Sequence, residues 1–423
     1  MKKLLCSGVL LFLCGQLLAQ EQKSAYTMSQ EADQLYMAKN YGTAASNYLK
    51  VIELSDFAAQ KRTAAYNAAC CLALEEKIDS SFILLNEAID HGYSNKFHLS
   101  SDSDLTSLHQ DGRWEELLNR VPASKTLNSD PEKASIITSD VHHFWEAYDL
   151  VQEDTAHARA IYKRYYFDKA SDGMQDYMGL KVASIDKFTQ HIQSHPKLYT
   201  SIRKNTLKVE AYKEKIQTSF NNFKAIYPDA KFPDVYFVIG AFTSGGTISN
   251  AGLLIGTNQM SDGEGVNTDE LSDRTKLLMN QSKYIPNIVS HELIHFQQNH
   301  MKRDTITLGY AIKEGMADFM GELISGNSAN EKIFAWAEGK EKKIWEDFKK
   351  DMYYNRSNNW IANYSTVSED GYPDLGYWVG YEICKSYYEN SKDKEQAIYD
   401  MLHIRNYKKF LEDSKWERKV KRY

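Results

Sequence analysis

Residues 291–295 read His291-Glu292-Leu293-Ile294-His295, and on a helix this pentapeptide sets two histidines one turn apart with a glutamate beside them. Pro286 suits the first turn of a helix, and IVSHELIHFQQNH continues it without a breaker. On a helix, positions i and i+4 share a face. Both imidazoles therefore point the same way and can take two vertices of a zinc tetrahedron. Glu292 lies one residue round from His291, beside such a metal rather than among its ligands. A general base that takes a proton from metal-bound water sits there.

A zinc ion open to chemistry needs a third protein ligand and a free fourth position. Nineteen residues after His295 comes Glu314, in a second helical pattern running from 308 to 325 and stopped by Gly326. Glu314 and Asp318 are again i and i+4. Either carboxylate can reach a metal from this helix, and spacing alone does not choose between them. A neighbouring carboxylate can also accept the free ring N–H of a ligand histidine and fix its tautomer. His300 is five residues past His295, about 140° round the helix, and cannot join the same face.

HELIH followed by EGMAD resembles the gluzincin branch of zinc metallopeptidases. Residues 135–395 together resemble a bacterial family of predicted zinc-dependent proteases. That second likeness rests on IITSDVHHFW, on YPDAKFPDVYFVIGAFTSGGT, on GLLIG before the histidine helix and on DLGYWVGYEI after it. The metzincin pattern fails, because Gln298 and Met301 stand where it needs glycine and histidine.

The resemblance implies a zincin-like domain with Zn2+ held by His291, His295 and Glu314, and with Asp318 orienting a histidine. It implies Glu292 as general base for hydrolysis of a peptide bond. It implies an edge strand at 253–257, with Leu254, Ile255 and Gly256, that binds the backbone of a peptide or protein substrate by strand addition. Gluzincins also supply a tyrosine or histidine to the developing oxyanion. Tyr377, beside Gly376, is the choice over His403. The expected function is zinc-dependent peptide-bond hydrolysis by an exported protein. The alternative is an exported, repeat-containing binding or scaffold protein whose zinc site is structural or idle. A zinc hydrolase of some other substrate is a third class.

Export is expected from the first twenty residues. Lys2 and Lys3 precede an apolar run from Leu4 to Leu18, and Ala19 is a small residue at a cut before Gln20. A lipid anchor at Cys14 is disfavoured at this stage, since Leu13 stands where a small residue belongs. The leader takes Lys2 and Lys3 and no acid, so the net charge moves from −6 to −8. That excludes a broadly basic nucleic-acid binder. No later run of about eighteen apolar residues exists to span a membrane. Cys70, Cys71 and Cys384 are too few for a disulfide framework and read as buried thiols.

The mature chain divides in two. Residues 26–121 read as helical repeats of tetratricopeptide kind. Ala32 to Ala44 and Ala69 to Ser81 each span twelve residues, with small side chains where antiparallel helices approach. The units recur at 37 residues, close to the usual ~34. They offer a surface for a protein partner. Leu105, Leu108, Trp114, Leu117 and Leu118 mark a capping helix. Residues 122–134 carry Pro122, Ser124, Asn128, Asp130 and Pro131 and read as a linker. Residues 135–423 form the second domain. A short strand there runs into a helix. Two apolar runs, 235–242 and 253–260, are joined by glycine-rich sequence and read as a wide hairpin, and helices follow to the end. Strands first and helices after argue for a mostly helical α+β fold.

Overall fold

Small residues set the first unit. In the computed structural model, α1 (Ala25–Met37), α2 (Tyr41–Leu54), α3 (Ala58–Leu74) and α4 (Ile78–Asp90) pack as successive antiparallel neighbours. Ala32, Ala44, Ala69 and Ser81 are wholly buried at their crossings. The Ser81 hydroxyl donates to the Ala69 carbonyl of the facing helix at 3.1 Å. Trp114, Leu117 and Leu118 of α5 (Trp114–Arg120) point inward with Leu105 and Leu108 and close a core of its own. Cys70, Cys71 and Cys384 are free and buried.

The structure describes residues 24–122, 127–328, 330–368 and 371–422. The leader, with Cys14 and the cut at Ala19, and residues 123–126 of the expected linker lie outside the described residues. The rest of that linker is stitched down. Asn128 pairs with Phe232 in an antiparallel bridge. Pro131 is buried in a single 3-10 turn capped by the Asp130 carboxylate.

The second unit begins with β1 (Ile136–Ile137), which runs into α6 (Ser139–Glu153). Further helices follow, among them α7 (Asp172–Lys181) and α8 (Lys213–Ile226). Then come β2 (Asp234–Val238), β3 (Gly246–Ile248) and β4 (Gly252–Gly256). The sheet order is β1-β2-β4-β3, with β1, β2 and β4 parallel and β3 antiparallel to β4. This corrects the expected wide hairpin. The two apolar runs pair in parallel, and the glycine-rich segment between them is itself a strand. Continuous apolar runs are what parallel strands buried on both faces require.

It also moves the expected edge. Leu254, Ile255 and Gly256 lie in β4, buried and hydrogen-bonded between β2 and β3, so no bound backbone can add to them. The edge beside them is β3.

Three helices complete the frame: α9 (Ile285–Gln297), α10 (Thr307–Ser325) and α11 (Leu375–Asn390). Gly321 brings α10 against the backbone of α9, where an added Cβ would stand 3.2 Å from the His291 nitrogen. Gly315 and Gly380 bring α10 against α11. Gly326 ends α10 in the left-handed conformation, φ 87°, with its N–H on the Glu322 carbonyl. The result is a mostly helical α+β architecture with one small mixed sheet. No helix among the described residues is long and apolar enough to cross a membrane.

Candidate metal centre

Pro286 opens α9, and the helix is buried on nearly every face. His291 and His295 therefore project from it together, ring centroids 4.6 Å apart and nearly perpendicular. Because Gly321 lets α10 approach, Glu314 on that helix meets both rings. Its Oε2 lies 3.0 Å from His295 Nε2 and 3.7 Å from His291 Nε2. Ligands at about 2.1 Å on a tetrahedral zinc stand about 3.4 Å apart, and these two spacings bracket that value.

Each imidazole is oriented by its other nitrogen. His291 Nδ1 lies 2.7 Å from Asp318 Oδ1. A carboxylate accepts only, so Nδ1 carries the hydrogen and Nε2 is left for a metal. Asp318 is held in turn by the Asn330 amide, which donates to Oδ2 at 2.7 Å. His295 Nδ1 lies 2.7 Å from Gln298 Oε1, and the Gln298 amide donates to the Lys313 carbonyl. That bond fixes which end of Gln298 faces the ring. Sequence reading missed Gln298 and Asn330. Gln298 carried a signal, three residues past His295; Asn330 carried none.

Charge favours a cation here. Three buried or half-buried carboxylates, Glu292, Glu314 and Asp318, surround two imidazoles. Burial opposes the charged form of His291, but Asp318, Glu314 and Glu292 outweigh it and hold its pKa well above the ordinary range. Burial likewise opposes ionisation of Glu314, yet the two imidazoles hold its pKa well below the usual carboxylate range. Burial raises Glu292. A divalent cation at His291, His295 and Glu314 would replace protons in this cluster and neutralise it, so the residues present fit such an ion.

Glu292 points past the ligands toward β3. A Cβ on Gly246 would stand 2.3 Å from its Oε1, so any larger residue there must displace the Glu292 carboxylate. Tyr377 of α11 stacks on His291, centroids 6.0 Å apart at 19°. Burial, then the facing Glu314 and Asp374 charges, push its phenol far up. Asp374, at φ 60° just before α11, accepts from the Ala362 N–H at 2.6 Å and shapes the same wall. His291, Glu292, Gly245, Gly246, Lys181 and Tyr377 border a cleft of about 390 Å³. His300 lies apart, stacked on His403 at 5.1 Å. Leu254, Ile255 and Gly256 lie inside the sheet rather than on the cleft.

A second group, Cys70, Asp102 and Asp104, also places ligand-type atoms together. Its carboxylates already accept from the Tyr66 and Tyr36 hydroxyls, and burial pushes the thiol far up. Those atoms are engaged within the fold.

The family model described as gliding motility protein GldB matches residues 125–418, more than two thirds of the chain. No curated protein and no solved structure matches. The match corrects the gluzincin and predicted-protease resemblance, and with it the reading of the chain as a metalloprotease and hydrolase. Two histidines on one helix and a carboxylate on the next describe how a metal could be held, not what would be done with it. The matched family is one of lipoproteins. It supports export and removes the ground for setting aside an anchor at Cys14. The match starts inside the linker and takes in the whole cluster, and on that span the chain belongs to the family of the gliding motility protein GldB.

Proposed function

We propose that this chain is an exported binding component of a gliding-motility apparatus, with a divalent cation held at His291, His295 and Glu314. The family match carries the reading, because it includes all three residues together with Glu292, Asp318 and Tyr377. Nitrogen and carboxylate donors in this number suit Zn2+. The C-terminal unit is then a zincin-like frame used for binding, in which the metal ties α9 to α10 at the floor of the cleft. Strand β3, at the sheet edge beside Glu292, is where an extended segment of a partner protein adds by backbone hydrogen bonds. The antiparallel hairpins of α1–α4, of tetratricopeptide kind, offer a further protein-binding surface. The family match supports a lipid anchor, and Cys14 is the cysteine in the apolar leader placed to carry it.

The test is complementation. A strain lacking the gene should lose colony spreading and regain it with the wild type. A His291→Ala, Glu314→Gln variant should be exported but fail to restore it, and the purified wild type should carry zinc where the variant does not. Normal spreading of the deletion strain would remove the motility reading. Zinc-free wild type would remove the metal from it.

A further inference from the structure

The family span begins at residue 125, yet the repeats before it are fastened to the cleft. Helix α7 makes the connection. On one side it grips α3. Arg62 Nη2 lies 2.8 Å from Asp176 Oδ1, with the carboxylate 9% exposed. A Cβ on Gly179 would stand 2.5 Å from the Ala59 Cβ, so the two helices touch. The Gln60 amide donates to the Val182 carbonyl at 3.2 Å. Phe57, just before α3, belongs to the core of the second unit and packs at a tilt against Phe167, ring centroids 5.6 Å apart.

On its other side α7 grips the rim of the cleft. The Thr243 hydroxyl donates to the Lys181 carbonyl at 2.6 Å. The Tyr177 hydroxyl donates to the Ser244 carbonyl at 3.0 Å. The Ala251 N–H, in the turn between β3 and β4, donates to Asp176 Oδ2 at 3.3 Å. One buried carboxylate thus holds an arginine of the repeats with one oxygen and the edge hairpin with the other. Helix α7 ends at Lys181, whose side chain borders the cleft with Glu292.

We infer that Asp176 is a positioning residue through which the N-terminal repeats set the cleft rim, so that a partner seated on the repeats is felt at β3. The connection rests on these contacts and stands whether or not the cluster holds a metal; the partner on the repeats rests on the function proposed above. A charged group in such a bond loses its partner at a cost that makes local opening about tenfold or more easier.

Hydrogen exchange on the full chain tests it. Arg62→Met should speed exchange at 245–252 about tenfold or more, and Arg62→Lys should restore most of the protection. Peptides from α9 and from α1–α2 should keep their wild-type rates, and the affinity for added Zn2+, set on α9 and α10, should not move. Asp176→Ala should reproduce the effect at the hairpin. Unchanged exchange at 245–252 in both variants overturns the inference. So does a rise of equal size across the whole chain, since that marks general loosening rather than a connection to the rim.

Discussion

Gly315 on α10 and Gly380 on α11 meet backbone to backbone. A Cβ on Gly315 would stand 1.9 Å from the Tyr381 nitrogen, and one on Gly380 would stand 1.7 Å from the Ala311 carbonyl oxygen. One methyl group at either position forces the helices apart, because the atoms met are main chain and cannot swing away. Gly315→Ala should cost about 1–3 kcal/mol or more and lower the melting temperature by several degrees. Glu314 is the preceding residue, so the same change should weaken zinc binding while leaving α1–α4 folded. Thermal melts and zinc titration decide it; an unchanged melting temperature would mean the helices do not cross as described.

Metal affinity should grade the residues around the cluster. Glu314→Gln removes one of the three proposed ligands and should all but empty the site. Asp318→Asn keeps the shape but loses the charge that orients His291, and should cost about 10–100-fold in affinity. Gln298→Ala frees the His295 ring and belongs with Asp318→Asn. His300→Ala, stacked on His403 outside the cluster, should do almost nothing. Competition with a chelator ranks the four, and a larger loss for His300→Ala than for Glu314→Gln would refute the ligand set.

Acid should find a weak point at His191. Its Nε2 is buried with no hydrogen-bond partner among the described residues, and its ring sits against His195 at 4.5 Å and against Tyr199 and Phe242. Burial, then the neighbouring His195, pulls its pKa down to about 4. The unfolded chain takes this proton near pH 6.5, so folding is penalised as pH falls from about 6.5 toward 4 and is unaffected above that window. The loss should reach about 2 kcal/mol by pH 5. His191→Phe should flatten that part of the stability–pH curve, as denaturant unfolding at pH 7.5 and pH 5 would record; an equally steep curve assigns the acid sensitivity elsewhere.

Export leaves a mark at the N-terminus. Anchoring predicts a mature chain that starts at a lipid-modified Cys14 and partitions with membranes. Mass spectrometry of the terminal peptide from native cells reads this directly, and an unmodified start at Gln20 would replace the anchored form with a free one.

The cluster was legible because helical spacing is local. His291 with His295, and Glu314 with Asp318, follow from 3.6 residues per turn, and the short gap between the helices leaves them few ways to pack. The paired small residues of the repeats were legible for the same reason. Strand partners were not. Leu253 pairs with Val235 on one side and Ile248 on the other, and nothing in a run of apolar residues says which side is free. Asn330 reaches Asp318 across a turn that no periodicity marks. Function was the least legible, since helix pairs that hold metals serve many ends, and the protease reading borrowed a reaction from a geometry.

The grip of α7 on α3 bears on how the protein can be produced. The repeats have a core of their own and leave the ribosome first, ready as a template for a helix made about a hundred residues later. A chain trimmed to the family's span would uncover the surface that Phe57 and Ala59 now seal, and would open Asp176 to water without its arginine. Such a fragment should self-associate on size-exclusion chromatography where the full chain runs as a discrete species. The contacts that join α3 to α7 thus make the repeats and the family's span one unit for expression.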